Sequence, residues 1–230
     1  MKQIAKRGGI AMCAKVLGSH PEDAAACRHA TSLLRNMSAS DKSKDAMCGD
    51  GTLELMLAAK KRHNDDAALQ EHTCATIANM ALRRPDNAVK IVSLGGATLV
   101  INAMRTHAET HAVLQRQGCL AIRNIVARSP ELREPILDGG AEAVLRAAAK
   151  LSQTNVDMAY AALRDLGIDV QVVKFTPPTA AKADDEVEIQ AGVELFGEKK
   201  AQFRPVFEES CEIEGKIADA AHAPSQDMRF

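Results

Sequence analysis

Apolar positions along this chain follow a pattern whose period is far longer than a helical turn. The tetrads Leu34-Arg35-Asn36-Met37, Ile77-Ala78-Asn79-Met80, Ile122-Arg123-Asn124-Ile125 and Leu163-Arg164-Asp165-Leu166 share one arrangement of apolar and polar residues, spaced by 43, 45 and 41 positions. A second landmark keeps step: Gly9-Ile10, Gly51-Thr52, Gly96-Ala97 and Gly140-Ala141, spaced by 42, 45 and 44. Two landmarks holding one period over four copies predict an array of similar helical units. The expected architecture is all-α: an α-solenoid of about four repeats over residues 1–167, the first incomplete, followed by a tail over 168–230.

The punctuation predicts three helices in each copy. A short first helix opens at Ser40-Asp41, Pro85-Asp86 and Ser129-Pro130, where a side-chain cap or an early proline deals with N–H groups that have no partner inside the helix. It stops at the glycine landmark, whose tolerance of left-handed backbone lets the chain reverse into a second helix over 52–62, 97–107 and 141–151. The long third helix follows a polar loop. Its start is marked by the capping-box spacing of Ser19-His20-Pro21-Glu22 in the first copy and by Asn64-Asp65 in the second.

Counted from the Asn of each tetrad, Leu34, Ile77, Ile122 and Leu163 at minus two, and Met37, Met80, Ile125 and Leu166 at plus one, are the expected core contacts. Ala30, Thr73, Gly118 and Ala159 stand at minus six, where small side chains let helices approach closely. No single unit can bury its own apolar stripe. Stability must come from stacking, and the ends of the stack need covering.

Composition narrows the function. Of 230 residues, 46% are hydrophobic, enough for a core of ordinary size, and the net charge of −1 argues against coating nucleic acid or anionic lipid. The longest uncharged run, residues 91–104, has 14 residues, short of the roughly 18 to 20 that a bilayer span needs. No nucleic-acid or membrane partner is expected. Six scattered cysteines resemble free thiols of a reducing compartment. With no signal-peptide core at the N-terminus, the expected location is the cytoplasm, with the nucleus as a second site. The chain has no G-x-S-x-G, Walker loop, H-E-x-x-H or C-x-x-C, so neither catalysis nor a cofactor is expected. Cys74 and Cys119, both five before the Asn, are read as small core residues rather than nucleophiles. His29 and His72 lack a matching third ligand, and no metal site is expected.

The Gly-Gly turn, the three-helix copy and the Ile122-Arg123-Asn124-Ile125 signature resemble the armadillo repeat family. Leu82-Arg83-Arg84-Pro85-Asp86-Asn87, Pro135-Ile136-Leu137-Asp138-Gly139-Gly140-Ala141-Glu142-Ala143 and Ala161-Ala162-Leu163-Arg164-Asp165-Leu166-Gly167 extend the likeness, which covers about residues 1–172. The resemblance implies that third helices line a concave face into which Asn36, Asn79 and Asn124 point. Seven residues is close to two helical turns, so each shares a helix face with His29, His72 and Gln117 respectively. An Asn amide matches the C=O and N–H of an extended peptide without reading its sequence; the alternative is that each Asn merely holds neighbouring turns together. Asp165 replaces Asn in the fourth copy.

Arg35, Arg123 and Arg164 beside the landmark, with Arg28 and Arg116 seven residues before Arg35 and Arg123, form a candidate basic flank suited to an acidic peptide. A solvated charged surface is the alternative. The tryptophans that the importin-type groove uses to hold lysine are replaced by Ser32, Ala75 and Leu120, so that mode of recognition is not expected. Only residues 1–8 precede the first turn, and this uncapped end is expected to self-associate through exposed apolar surface.

The tail differs from the rest. Residues 184–230 hold 12 Asp plus Glu against 5 Lys plus Arg, a net −7, which leaves +6 for residues 1–183; all five Phe lie after Gly167. This acidic, Phe-containing tail is expected to be largely disordered, either docking on the basic groove or contacting nothing stable. Two functional readings follow. The first is a non-enzymatic protein-interaction scaffold holding an extended acidic peptide, and the second is a structural subunit permanently buried in a larger assembly.

Overall fold

A computed structural model describes residues 2–170, and within them the chain is helical without strands. The readings of the tail lie outside the described residues. Four units follow one another. The first holds α1 (Lys2–Lys6), α2 (Gly9–Ser19) and α3 (Ala24–Met37), and the second holds α4 (Asp41–Gly49), α5 (Thr52–Arg62) and α6 (Ala67–Ala81). The third holds α7 (Pro85–Ser93), α8 (Gly96–Thr106) and α9 (Ala112–Val126). A 3-10 turn (Pro130–Leu132), α10 (Arg133–Asp138), α11 (Ala141–Ala148) and α12 (Gln153–Asp165) make the fourth.

The turn between first and second helices is made by one residue in the left-handed region, Gly8 (φ +84°), Gly51 (+83°), Gly95 (+77°) or Gly140 (+89°). The true landmark is thus one residue earlier than expected in the first and third units, where the Gly-Gly pair hid the register. Gly9 and Gly96 are needed for another reason. A Cβ at either would stand 2.8 Å from the carbonyl oxygen of Ile4 or Ile91, so the helices meet there backbone to side chain. At this turn α7 and α8 are bent through 71°.

The third helices start later than expected. Asp23 and Asp66 are the N-caps of α3 and α6, each accepting a backbone N–H three residues on, from Ala26 at 2.9 Å and Leu69 at 3.0 Å. The capping-box spacing at Ser19 is coincidental, because Ser19 ends α2 and His20 follows as its C-cap. Helix α11 ends at Ala148 rather than residue 151, and Ser152 caps α12 through the Asn155 N–H. Gly167 (φ +85°) then closes α12. Its N–H donates to Arg164 O, and the Ile168 N–H donates to Leu163 O at 3.0 Å, the paired bonds of a Schellman ending. Ile168 and Val170 pack on the core, so the packed unit runs past the expected boundary at 167.

Successive third helices lie against one another, α3 on α6, α6 on α9 and α9 on α12, and second helices do so as well. The core runs between them. Leu34, Ile77, Ile122 and Leu163 are fully buried, as are Met80 and Ile125, with Met37 and Leu166 nearly so. One stripe of side chains therefore serves two neighbouring units at once, which is why a single unit would not fold alone.

Candidate functional site

The row of third helices carries the residues singled out in the sequence. On α3, Asn36 and His29 are exposed, with Leu33 between them; on α6, Asn79 and His72 are half-buried; on α9, Asn124 and Gln117 are half-buried. Two of the three Asn amides do not stand free. Asn79 Nδ2 donates to Ser38 Oγ at 2.9 Å, and Asn124 Nδ2 donates to the Ala78 carbonyl at 2.9 Å. Each ties its helix to the C-terminal end of the preceding third helix, and each keeps Oδ1 and one N–H for other work. Asn36 makes no side-chain hydrogen bond among the described residues.

Three of the five arginines of the expected basic flank are ion-paired. Arg28 Nε lies 2.8 Å from Asp66 Oδ2, Arg35 Nη1 lies 3.0 Å from Glu71 Oε1, and Arg123 Nε lies 3.0 Å from Asp165 Oδ2. Every pair bridges one third helix to the next. The sequence concealed these partners because each carboxylate is 36 to 42 residues away, adjacent only after stacking. Arg116 and Arg164 are exposed and have no ion pair among the described residues. Beside Arg35, the His72 ring Nδ1 is 3.3 Å from Nη1; burial holds the His72 pKa below its usual value, with Glu71 opposing and Arg35 reinforcing.

Several repeated polar contacts were missed. His63 Nε2 lies 2.8 Å from the Pro21 carbonyl, and His107 Nε2 lies 2.8 Å from the Asn64 carbonyl. Each histidine C-caps a second helix and reaches the residue just after the equivalent position of the preceding unit. Their spacing, His20, His63 and His107 at 43 and 44, was available as a signal. Gln70 and Gln115 are buried and clip the same helix ends, donating to Lys60 O and His63 O, and to Met104 O and His107 O, at 2.7 to 3.0 Å.

Lys60 is the exceptional group. It is 1% exposed, and its ammonium donates to Gln70 Oε1 at 2.6 Å, with Thr73 Oγ1 and Cys74 Sγ at 3.3 Å. No carboxylate faces it, so burial pushes its pKa down. The thiols are poor nucleophiles for the same reason. Burial raises the pKa of Cys13, Cys27 and Cys48, and pushes Cys119 up to about 12. A pocket of about 770 Å³ lies between the first unit and α4 of the second, lined by Ile10, Asn36, Met37, Ser40 and Ala46 among others. Among the described residues, no three metal-ligating side chains cluster, and no single helix is long and apolar enough to cross a membrane.

No family model matches the chain. A curated protein, Protein aardvark of Dictyostelium discoideum, is similar to it, 29% identical over 93 residues that make up 37% of this chain. The match covers 12% of that protein, so this chain spans only a small part of the length of the curated relative it matches. No solved structure matches.

Proposed function

We propose that the chain is an armadillo-type α-solenoid, akin to the C-terminal half of armadillo repeat-containing protein 6, acting as a non-enzymatic scaffold in the cytoplasm or nucleus. Its third helices hold an extended segment of a protein partner. The observation that supports this reading is the side-by-side succession of α3, α6, α9 and α12, the first three of which carry Asn36, Asn79 and Asn124 at matching sequence positions. Such a row offers peptide N–H and C=O groups a partner at each unit.

Side-chain preference comes from what the ion pairs leave over. With Arg28, Arg35 and Arg123 engaged by carboxylates, acidic residues of the peptide meet Arg116, Arg164 and the exposed His29. The preference for acidic peptides is therefore modest and falls with salt. Immobilised extended peptides of graded acidity test the reading. A chain with His29→Ala, Arg116→Glu and Arg164→Glu, substitutions outside the interhelix bonds, should bind the acidic members at least ~10-fold more weakly while melting unchanged. Equal binding by the altered chain, or no saturable binding by the native chain, rejects it.

A second reading, a subunit held permanently in a larger assembly, is favoured by one observation. Met12 is 70% exposed, and Ile4 and Leu33 are 46% and 41% exposed, all in the first unit.

A further inference from the structure

Lys60 on α5 and Cys74 on α6 stand in direct contact, Nζ to Sγ at 3.3 Å, and both are closed off from water. The pairing is peculiar to the second unit. At the position of Lys60 the other units carry Leu17, Met104 and Ala149, and at the position of Cys74 they carry Thr31, Cys119 and Tyr160. The third unit thus has the same cysteine without the amine.

The neighbours of Nζ decide which way the amine points. Gln70 Oε1 lies at 2.6 Å, Thr73 Oγ1 at 3.3 Å and the Gln70 carbonyl at 3.5 Å. All three are acceptors toward Nζ, because the Gln70 amide donates to Lys60 O and His63 O, and the Thr73 hydroxyl gives its proton to the Leu69 or Gln70 carbonyl. An uncharged lysine amine has two N–H groups and one lone pair. With oxygens taking the N–H groups, the lone pair is left facing Sγ. Burial with no carboxylate opposite favours that uncharged form.

We propose that Lys60 and Cys74 are a redox modification site, at which hydrogen peroxide turns the contact into a covalent sulfenamide between Nζ and Sγ. Peroxide first oxidises the thiol by two electrons, giving the sulfenic acid and one water. The Nζ lone pair then attacks Sγ, the S–O bond breaks, and the hydroxide leaves with an Nζ proton as a second water. One amine, one thiol and one peroxide become one N–S bond and two waters. Peroxide is small enough to enter during local opening, whereas burial keeps bulkier thiols from the sulfenic acid, so the touching amine is the nucleophile at hand. The link staples α5 to α6 and removes a buried cation. Two equivalents of a thiol reductant restore both groups.

Mass spectrometry tests it. A chain with Cys48→Ala, whose tryptic peptide around Lys60 then holds no thiol of its own, is treated with hydrogen peroxide, blocked at its remaining thiols and digested with trypsin. The expected product joins the Lys60 peptide to the Cys74 peptide, is about 2 Da lighter than their sum, is uncut at Lys60 and separates on dithiothreitol. In the native chain the same product is recognised by the block at Lys60. Cys119 should form no such link. With Lys60→Met, Cys74 should instead run on to the sulfinic acid, about 32 Da heavier. Three results, each read in a chain that keeps Lys60 and so independent of how Lys60→Met folds, would overturn the proposal. They are Cys74 carried to the sulfinic acid, Cys74 found in a disulfide, and Cys74 left as a thiol at a peroxide dose that converts the exposed Met12 to its sulfoxide.

Discussion

Gly118 has no room for a methyl group. A Cβ there would lie 2.5 Å from both Cγ and Sδ of Met104, on the second helix of the same unit. The corresponding pairs in the other units are Leu17 with Ala30, Lys60 with Thr73 and Ala149 with Ala159, all buried except the half-buried Ala149. The longest apolar side chain thus faces the smallest partner. Gly118→Ala should cost about 1–3 kcal/mol by overpacking, and adding Met104→Leu, the Leu17–Ala30 solution, should recover most of it in urea unfolding. A neutral single substitution would show that Met104 swings aside freely. The small residues at this position were legible in the sequence, because they recur at the repeat period. What they faced was not, since the facing residue varies from Leu to Lys to Met. The same contrast separates the Asn residues: Asn79→Ala, losing its bond to Ser38, should cost about 1 kcal/mol, and Asn36→Ala less than about 0.5. Equal losses in calorimetry would mean that the bond to Ser38 contributes nothing.

Helix starts marked by Pro85 and by the Ser40 cap were read to the residue and the glycine turns to within one, whereas the caps of α3 and α6 were misread. Pro85 at the first turn of α7 and the glycine turns placed the first and second helices nearly to the residue. For α3 and α6, several Ser, Asn and Asp residues competed as caps within one loop, and sequence could not rank them. Packing did, because only Asp66 stands where Arg28 of α3 can reach its other oxygen. Burial raises the Asp66 pKa, but the Leu69 N–H and Arg28 outweigh it, and the net effect is a lowered value. Asp66→Ala should therefore cost about 1–2 kcal/mol through cap and ion pair together, and Asp66→Asn should restore the cap share alone. If thermal unfolding ranks Asn no better than Ala, the carboxylate acts through Arg28 and the cap is idle.

At the scale of the whole molecule, stacking brings together groups that are distant in sequence, and some of them titrate. Asp66 has a lowered pKa, so its stabilisation is fully present above the ordinary value of 3.8 and is lost as pH falls through the folded value. Lys60 works in the opposite range. Its folded pKa lies below 10.5, so between those two values the unfolded chain holds a proton that the folded chain does not, and stability rises with pH. The buried thiols oppose this. With folded pKa values above 9.0, they favour the unfolded state increasingly as pH rises past 9.0. A Lys60→Met chain leaves Cys13, Cys27, Cys48 and Cys119 as they are, so subtracting its unfolding free energy from that of the native chain cancels these four. The offset between the two curves reports Gln70 Oε1, left without its donor. The slope reports Lys60 itself. As pH rises towards 10.5 the native chain should gain on Lys60→Met in urea unfolding, and a difference that stays flat up to that value would mean the Lys60 ammonium keeps its ordinary proton affinity inside the stack.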